Sequence, residues 1–219
     1  MSAVGVEPAV TMVVPVTLEG RWARLEPLAQ AHAGGLLAAA TGPRETYGFT
    51  LVPGTEAETA AYVETALAEQ EAGRALPFAT VDRTTGRVVG CTRLFNIEFW
   101  PWPPGNPHQR GPERPDVAEI GWTWLAAGAQ RTPINTEAKL LMLAHAFDHW
   151  RVHRVSLDTD ARNQRSRNAI RRLGARFDGV LRADRPARDG AIRDTAAFSI
   201  LDSEWPAVRS NLQARLSRQ

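Results

Sequence analysis

The sequence predicts an α/β (α+β) domain: a mixed, mostly antiparallel central sheet with helices on both faces. Three observations carry that expectation. Strand-like and helix-like segments follow one another as β, α, α, β, β, β, α, β, α, β, β, α, with neighbouring strands in the middle and two strand–helix units in the second half. No Pro/Gly/Ser-rich linker divides the chain and no repeat or low-complexity tract appears, so a loose arm at 1–17 and one domain over 18–219 are expected. The 219 residues are 43% hydrophobic and 23% charged, a balance that can bury one sizeable core.

The arm, MSAVGVEPAVTMVVPV, lacks a basic start and carries Glu7, Pro8 and Pro15, which makes it a poor secretion signal. Alternation in residues 17–28 predicts a first strand around Trp22 to Leu25. Residues 29–41 read as a helix weakened by Gly34 and Gly35, and 42–53, rich in Gly, Pro and Thr, as a loop. Thr55 followed by Glu58 forms a capping box for a helix over 55–72, with Gly73 past its end. Residues 76–81 and 87–99 are strands joined by a turn at 82–86, a hairpin. Residues 100–116 (WPWPPGNPHQRGPERPD) hold too much proline for a helix or a central strand. Their aromatic start, from Phe99 to Trp102, suits a cleft lining, a dimer contact or cover for a sheet edge.

Residues 117–125 form an apolar strand running into a polar corner. The helix beyond carries Leu140, Leu143, Ala144 and Phe147 at i, i+3, i+4, i+7, one buried stripe. Val155, Leu157 and Thr159 alternate in a strand over 153–159. Asn163 is an N-cap for a helix to Leu173, stopped by Gly174. Strands at 177–183 and 192–201 flank the turn Arg188-Asp189-Gly190, and Glu204-Trp205-Pro206 opens a last helix to about Leu216.

Composition narrows the function. No run of about 18 apolar residues exists, so no membrane span is expected. The single cysteine, Cys91, allows no intrachain disulfide, which fits a reducing cytoplasm; its strand setting makes it a small core hydrophobe. Net charge is +2, and of 26 Lys and Arg only Lys139 is lysine, a skew that resembles coding bias and cautions against reading each Arg as a ligand contact. Twelve Arg lie between Arg151 and Arg193, but no aromatic-interleaved basic motif accompanies them, so nucleic acid is not an expected partner. His145, His149 and His153 recur every four residues without a carboxylate or cysteine pattern, and no metal site is expected.

The corner after the 117–125 strand favours an anion, because helix-start N–H groups lack intrahelical partners and the dipole there is positive. Thr132 followed by Pro133 also fits an N-cap with proline at the first helical position. Gln130-Arg131-Thr132-Pro133-Ile134-Asn135-Thr136-Glu137-Ala138 at this corner and Asn163-Gln164-Arg165-Ser166-Arg167, continuing to Leu173-Gly174-Ala175, are the central motifs. Together with Ala118-Glu119-Ile120-Gly121 and the Glu204-Trp205 ending, they resemble the GNAT superfamily of acyl-CoA-dependent N-acetyltransferases, in its RimJ/RimL-type branch, from about Leu18 to Leu216.

The resemblance implies acetyl-CoA (coenzyme A) as cofactor and direct transfer of acetyl to a primary amine in a ternary complex. The acceptor is then a protein N-terminus or a small-molecule amine, such as an antibiotic or polyamine. It places the pyrophosphate at Gln130, Arg131, Thr132, Ile134, Asn135 and Thr136. It places the pantetheine arm and the oxyanion donor along Trp124, Leu125 and Ala126, with further cofactor contacts at Asn163 and Arg167. Glu119, a carboxylate within an apolar strand, is the candidate base, its pKa raised by desolvation. Where many relatives carry a tyrosine acid this chain has Ile170, and Ser166 is the candidate substitute donor. Pro133 and Asn135 replace two small residues of the usual loop, which reshapes the phosphate site. A catalytically idle acyl-CoA-binding or regulatory module on the same fold is the alternative, and a homodimer is compatible with the resemblance.

Overall fold

The computed structural model describes residues 13–111 and 113–219. Most of the expected arm, residues 1–12, lies outside the described residues; of the remainder, Val13 is buried in the core. The strands are β1 (Leu18–Glu19), β2 (Ala23–Pro27), β3 (Ala75–Asp82), β4 (Arg87–Glu98), β5 (Val117–Leu125), β6 (Arg154–Asp160), β7 (Arg176–Pro186) and β8 (Ile192–Leu201). The helices are α1 (Ala33–Ala40), α2 (Glu56–Glu71), α3 (Pro133–Ala144), α4 (Gln164–Leu173) and α5 (Trp205–Leu216). The strands form a single sheet in the order β1-β2-β3-β4-β5-β6-β8-β7, antiparallel throughout except for the parallel pair β5–β6.

Alternation along the strands feeds two large cores, and Ala23, Leu125, Ala129 and Ile134 form a third, smaller cluster at the corner before α3. Leu76, Phe78, Leu94, Ile120, Val155, Leu157 and Phe198 point to the face covered by α3 and α5, where Met142, Leu143, Trp150 and Leu212 pack. Ala79, Cys91 and Trp124 point to the other face, under α1 and α2. These two helices cover only the first half of the sheet, since α1 packs on β4 and α2 on β3. The α1/α2 face of β5 to β8 therefore keeps polar residues: Ser156 and Asp158 on β6, and Ser199 on β8 paired with Asp178 on β7.

Several expectations are corrected. The first strand is a hairpin, β1–β2, because the α3 carboxylate of Glu137 accepts the backbone N–H groups of Arg21 (2.8 Å), Trp22 (2.5 Å) and Ala23 (2.7 Å) and bends the chain there. At α2, Thr55 caps the Glu58 N–H, but the Glu58 carboxylate turns outward to the Gly54 N–H (2.6 Å) instead of closing the box on Thr55. The α3 stripe is centred on Ala138, Met142 and Leu143; Leu140 and Ala144 are only partly buried. That helix continues as a π-helical turn, His145–Trp150, and ends on Arg151 at φ 62°. The wider turn brings Phe147 and Trp150 into the core together.

Residues 99–116 fold back over the sheet end where β5 and β6 begin. The Asp116 carboxylate accepts the Trp100 backbone N–H (2.7 Å) and the Trp102 Nε1–H (2.7 Å), and the Trp100 ring stacks on His153 at 5.8 Å. Arg110 ties the segment to Asp202 (2.5 Å). The aromatic start thus anchors the segment to the sheet end.

Candidate active site

The parallel pair β5–β6 holds only over Val117–Arg154, Ala118–Val155 and Glu119–Ser156. Beyond Glu119 the two strands part, and each runs into a helix start: β5 through the corner into α3, β6 through Asp160 into α4. A sheet that opens between two parallel strands leaves unpaired edge backbone, which an extended ligand can pair with. The opening lies between two helix N-termini, where an anion is favoured.

The α3 start is built as its residues dictate. Thr132 Oγ1 accepts the Ile134 N–H at 3.4 Å and donates to the Ala129 carbonyl at 2.8 Å, and Pro133 holds the first helical position. The Ile134 N–H is therefore already engaged, and its side chain is buried. Asn135 and Thr136 are half-buried in the same turn, and Arg131 is exposed at φ 63°. At the α4 start, Asn163 Oδ1 accepts the Ser166 N–H at 3.1 Å; Ser166 is half-buried. Arg167 is turned inward, donating to the Ala161 carbonyl (3.0 Å) and lying 5.7 Å from the Phe177 ring.

The two motifs are physically joined. Gln130 Oε1 accepts from Arg165 Nη2 (3.0 Å), and Gln130 Nε2 donates to the Leu125 carbonyl (3.0 Å) and to Thr46 (3.0 Å). Tyr47, from the 42–53 loop, donates its hydroxyl to the same Leu125 carbonyl at 2.9 Å, and burial pushes that phenol up. A cavity of about 320 Å³ bordered by Arg44, Tyr47, Gly48, Arg188 and Asp189 opens beside them.

The expected strand donors are partly spoken for. The Ala126 N–H donates to the Val89 carbonyl at 2.7 Å, the Leu125 carbonyl has the two partners just named, and Trp124 packs in the α1/α2 core. Ala126 is thus corrected as an oxyanion donor: β4 already holds its N–H. A bulge at Trp122, φ 52°, interrupts the β4–β5 ladder upstream. Its ring lies 4.4 Å from the buried Arg93 guanidinium.

Glu119 sits where the strands part. It is six residues before Leu125, about 20 Å along an extended strand, so the structure separates it from the helix starts, and no hydrogen bond joins it to Ser166 among the described residues. Asn96, at φ 45° beside a second β4–β5 irregularity, turns its Nδ2 onto Glu119 Oε2 at 2.7 Å. Burial, reinforced by the charge of Asp158, pushes the Glu119 carboxyl up to about 7. A cavity of about 160 Å³ lies over it, lined by Asn96, Glu98, Arg154, Ser156 and Asp158 among others.

Asn96, Tyr47, Arg165 and Asp158 were not legible as site residues in the sequence. Asp158 had a signal: if Val155, Leu157 and Thr159 alternate inward, Ser156 and Asp158 must face the other side of the sheet. Tyr47, Arg165 and Asn96 had none, since their positions follow from loop path, helix contact and bulge.

Fold and site together define a sheet opened between parallel strands, with a titratable carboxylate at the parting and helix starts at the far end. A family model, the GNAT acetyltransferase domain, matches residues 23–176, and the chain belongs to that family. Among solved structures it resembles a GCN5-related N-acetyltransferase from Brucella melitensis at 34% identity, with a TM-score of 0.78, covering 93% of this chain and 86% of that one. Mycobacterium smegmatis RimJ, solved with CoA-disulfide, shares the fold at 22% identity and TM-score 0.75, over 93% and 96% of the two chains. So does the microcin C7 self-immunity acetyltransferase MccE, solved with acetyl-CoA and AMP, at 19% identity and TM-score 0.66, over 83% and 93%. No curated protein matches the sequence.

Proposed function

We propose that the chain is an acetyl-CoA-dependent N-acetyltransferase whose acceptor is a primary amine on a protein N-terminus, as in the RimJ/RimL branch, or on a small molecule. The observation that carries the reading is the parting of β5 and β6 at Glu119. Beyond Glu119 the β5 and β6 backbones are not paired with each other, which is where a cofactor arm would pair with strand edge, and helix starts joined by Gln130–Arg165 stand at the other end. Acetyl-CoA bound there supplies an activated thioester. Gln130, Arg131, Thr132, Asn135, Thr136 and Asn163 hold its anionic and amide groups, while Ile134, with its N–H on Thr132 and its side chain buried, shapes the turn. Glu119 takes the proton that the amine must lose before it attacks.

Ser166 stands at the α4 start, away from Glu119, and the leaving sulfur, whose thiol has a pKa of about 8.5, needs no dedicated donor. Cys91, free and buried, and the absence of any helix among the described residues long and apolar enough to cross a membrane are compatible with a cytoplasmic enzyme.

The test is thiol release from acetyl-CoA with a panel of N-terminal peptides, diamines and aminoglycosides. Turnover with at least one amine, lost in Glu119→Gln, is expected. Acetyl-CoA binding without turnover on any amine would instead favour the idle acyl-CoA-binding module.

A further inference from the structure

The cavity at the strand parting contains a second carboxylate that the transfer reading leaves unused. Glu119 pairs with Ser156, so Asp158, two residues further along β6, faces the same side of the sheet. Both line the cavity. Glu119 has its hydrogen-bond partner in Asn96. The Asp158 carboxylate has the Phe198 backbone N–H on β8 as a neighbouring donor, but its Oδ1 is buried and accepts no hydrogen bond. A buried acceptor left without a donor is costly, and a carboxylate oxygen more so.

The charged groups around the pair come from every neighbouring strand: Glu98 on β4, Arg154 on β6, Asp184 and Arg185 on β7, and Arg193 on β8. Arg185 is bound to Asp184 at 2.6 Å, and Arg193 Nε is buried without a partner. None of these closes on Asp158 Oδ1.

We propose that Asp158 is the residue that receives the acceptor as an ammonium ion, holding its head beside Glu119, so that the site selects unhindered primary ammonium groups. This rests on the acetyl-transfer reading. An ammonium carries three N–H donors on one point charge, which suits two carboxylates converging from adjacent strands. At about 160 Å³ the cavity has room for a few water-sized groups, enough for the head and a short stem.

The protons balance. One ammonium proton passes to Glu119, whose affinity for it is raised first by burial and second by the neighbouring charge of Asp158. The amine keeps a hydrogen bond to Asp158 and directs its lone pair at the thioester carbon. The C–N bond forms and the C–S bond breaks. The sulfur leaves with the bonding electrons and gains the amine's second proton through solvent, while Glu119 releases the first. The sum is ammonium plus thioester to amide, thiol and one proton.

Two measurements test it. In the unliganded protein, the Glu119 carboxyl is titrated by ¹³C NMR with n-butylammonium and with uncharged n-butanol at equal concentration. Butylammonium should lower the Glu119 midpoint and butanol should not; equal effects overturn the proposal. Asp158→Asn should abolish that difference and lower the Glu119 midpoint of the free protein. With a turned-over amine it should also raise the acceptor KM at least tenfold while the KM for acetyl-CoA stays unchanged. An acceptor KM and a butylammonium response like those of the wild type would overturn it. If no amine is acetylated yet butylammonium alone moves Glu119, the transfer reading fails and the ammonium site stands.

Discussion

Glu119 on β5 and Lys139 on α3 both have strongly displaced titrations, in opposite directions, and each has a consequence for stability. For Glu119, a midpoint of about 7 places the acidic limb of kcat/KM near neutrality, with activity rising as the carboxyl ionises. The folded midpoint lies above the ordinary value of 4.5, so the fold favours the protonated form. Stability is full below about pH 4.5 and falls as pH rises towards and through 7. Glu119→Gln should therefore lower kcat by about 10²–10⁴. It should raise unfolding free energy at pH 8 by about 1–3 kcal/mol and leave it nearly unchanged at pH 4; urea unfolding at both pH values checks the sign.

Lys139, the only lysine, is buried with its Nζ donating to Thr92 (2.9 Å) and Thr123 (2.6 Å) hydroxyls and, among the described residues, forms no ion pair with a carboxylate. Burial pulls its amine down to about 7. An arginine in that place would stay charged, which gives a physical reason for lysine here in a chain otherwise built with arginine. One lysine gives one ¹⁵Nζ NMR signal, and its titration should centre near 7; a signal that stays charged to pH 9 would refute this. Because the folded midpoint is below the unfolded one, stability falls as pH drops from about 10.5 to 7. Lys139→Met should stabilise the protein at pH 7, and the gain should shrink towards pH 10, with Thr92 and Thr123 still bonded to each other at 2.7 Å.

At the scale of elements, the site depends on how two helix starts are fixed to each other. Each cap is local: Thr132 and Pro133 for α3, Asn163 for α4. Their connection is not local, since Gln130 and Arg165 are 35 residues apart in sequence. Asn163→Ala should cost about 1 kcal/mol of stability and weaken acetyl-CoA binding. Gln130→Ala and Arg165→Ala should each weaken that binding, and in a double-mutant cycle their effects should be less than additive; full additivity would show that the bridge does not organise the cofactor site. Helix existence, caps and the hairpin were legible because they follow from short-range patterns. The Trp122 and Asn96 bulges were not, because a left-handed residue inside a strand is imposed by the ladder on either side. Gly90 belongs with them: an added Cβ there would strike the Trp124 carbonyl oxygen, a requirement visible only once β4 and β5 are paired.

At the scale of the molecule, acetyl-CoA should stabilise the folded state by mass action, by about 2.7 kcal/mol at a hundredfold excess over Kd, or roughly 5–10 °C in Tm for a chain of this size; no shift at millimolar ligand would remove the cofactor assignment. The stabilisation should reach both sides of the sheet opening, because β5 and β6 hold the two helix starts and are joined directly through only three residue pairs. By itself the sequence determined most of the order of elements, the caps of α3 and α4 and the anion-favouring corner before α3, since periodicity, caps and turn residues act over a few positions. It also marked Glu119 as a carboxylate in an apolar strand. Tertiary structure alone decided that β5 and β6 part at Glu119, that Asn96 and Asp158 flank it, that Ala126 is already paired, and that Lys139 is buried against the hydroxyls of Thr92 and Thr123. Each of these is a meeting between segments distant in sequence, and the burial and neighbouring charge that shift a carboxyl or an amine exist only after the segments meet.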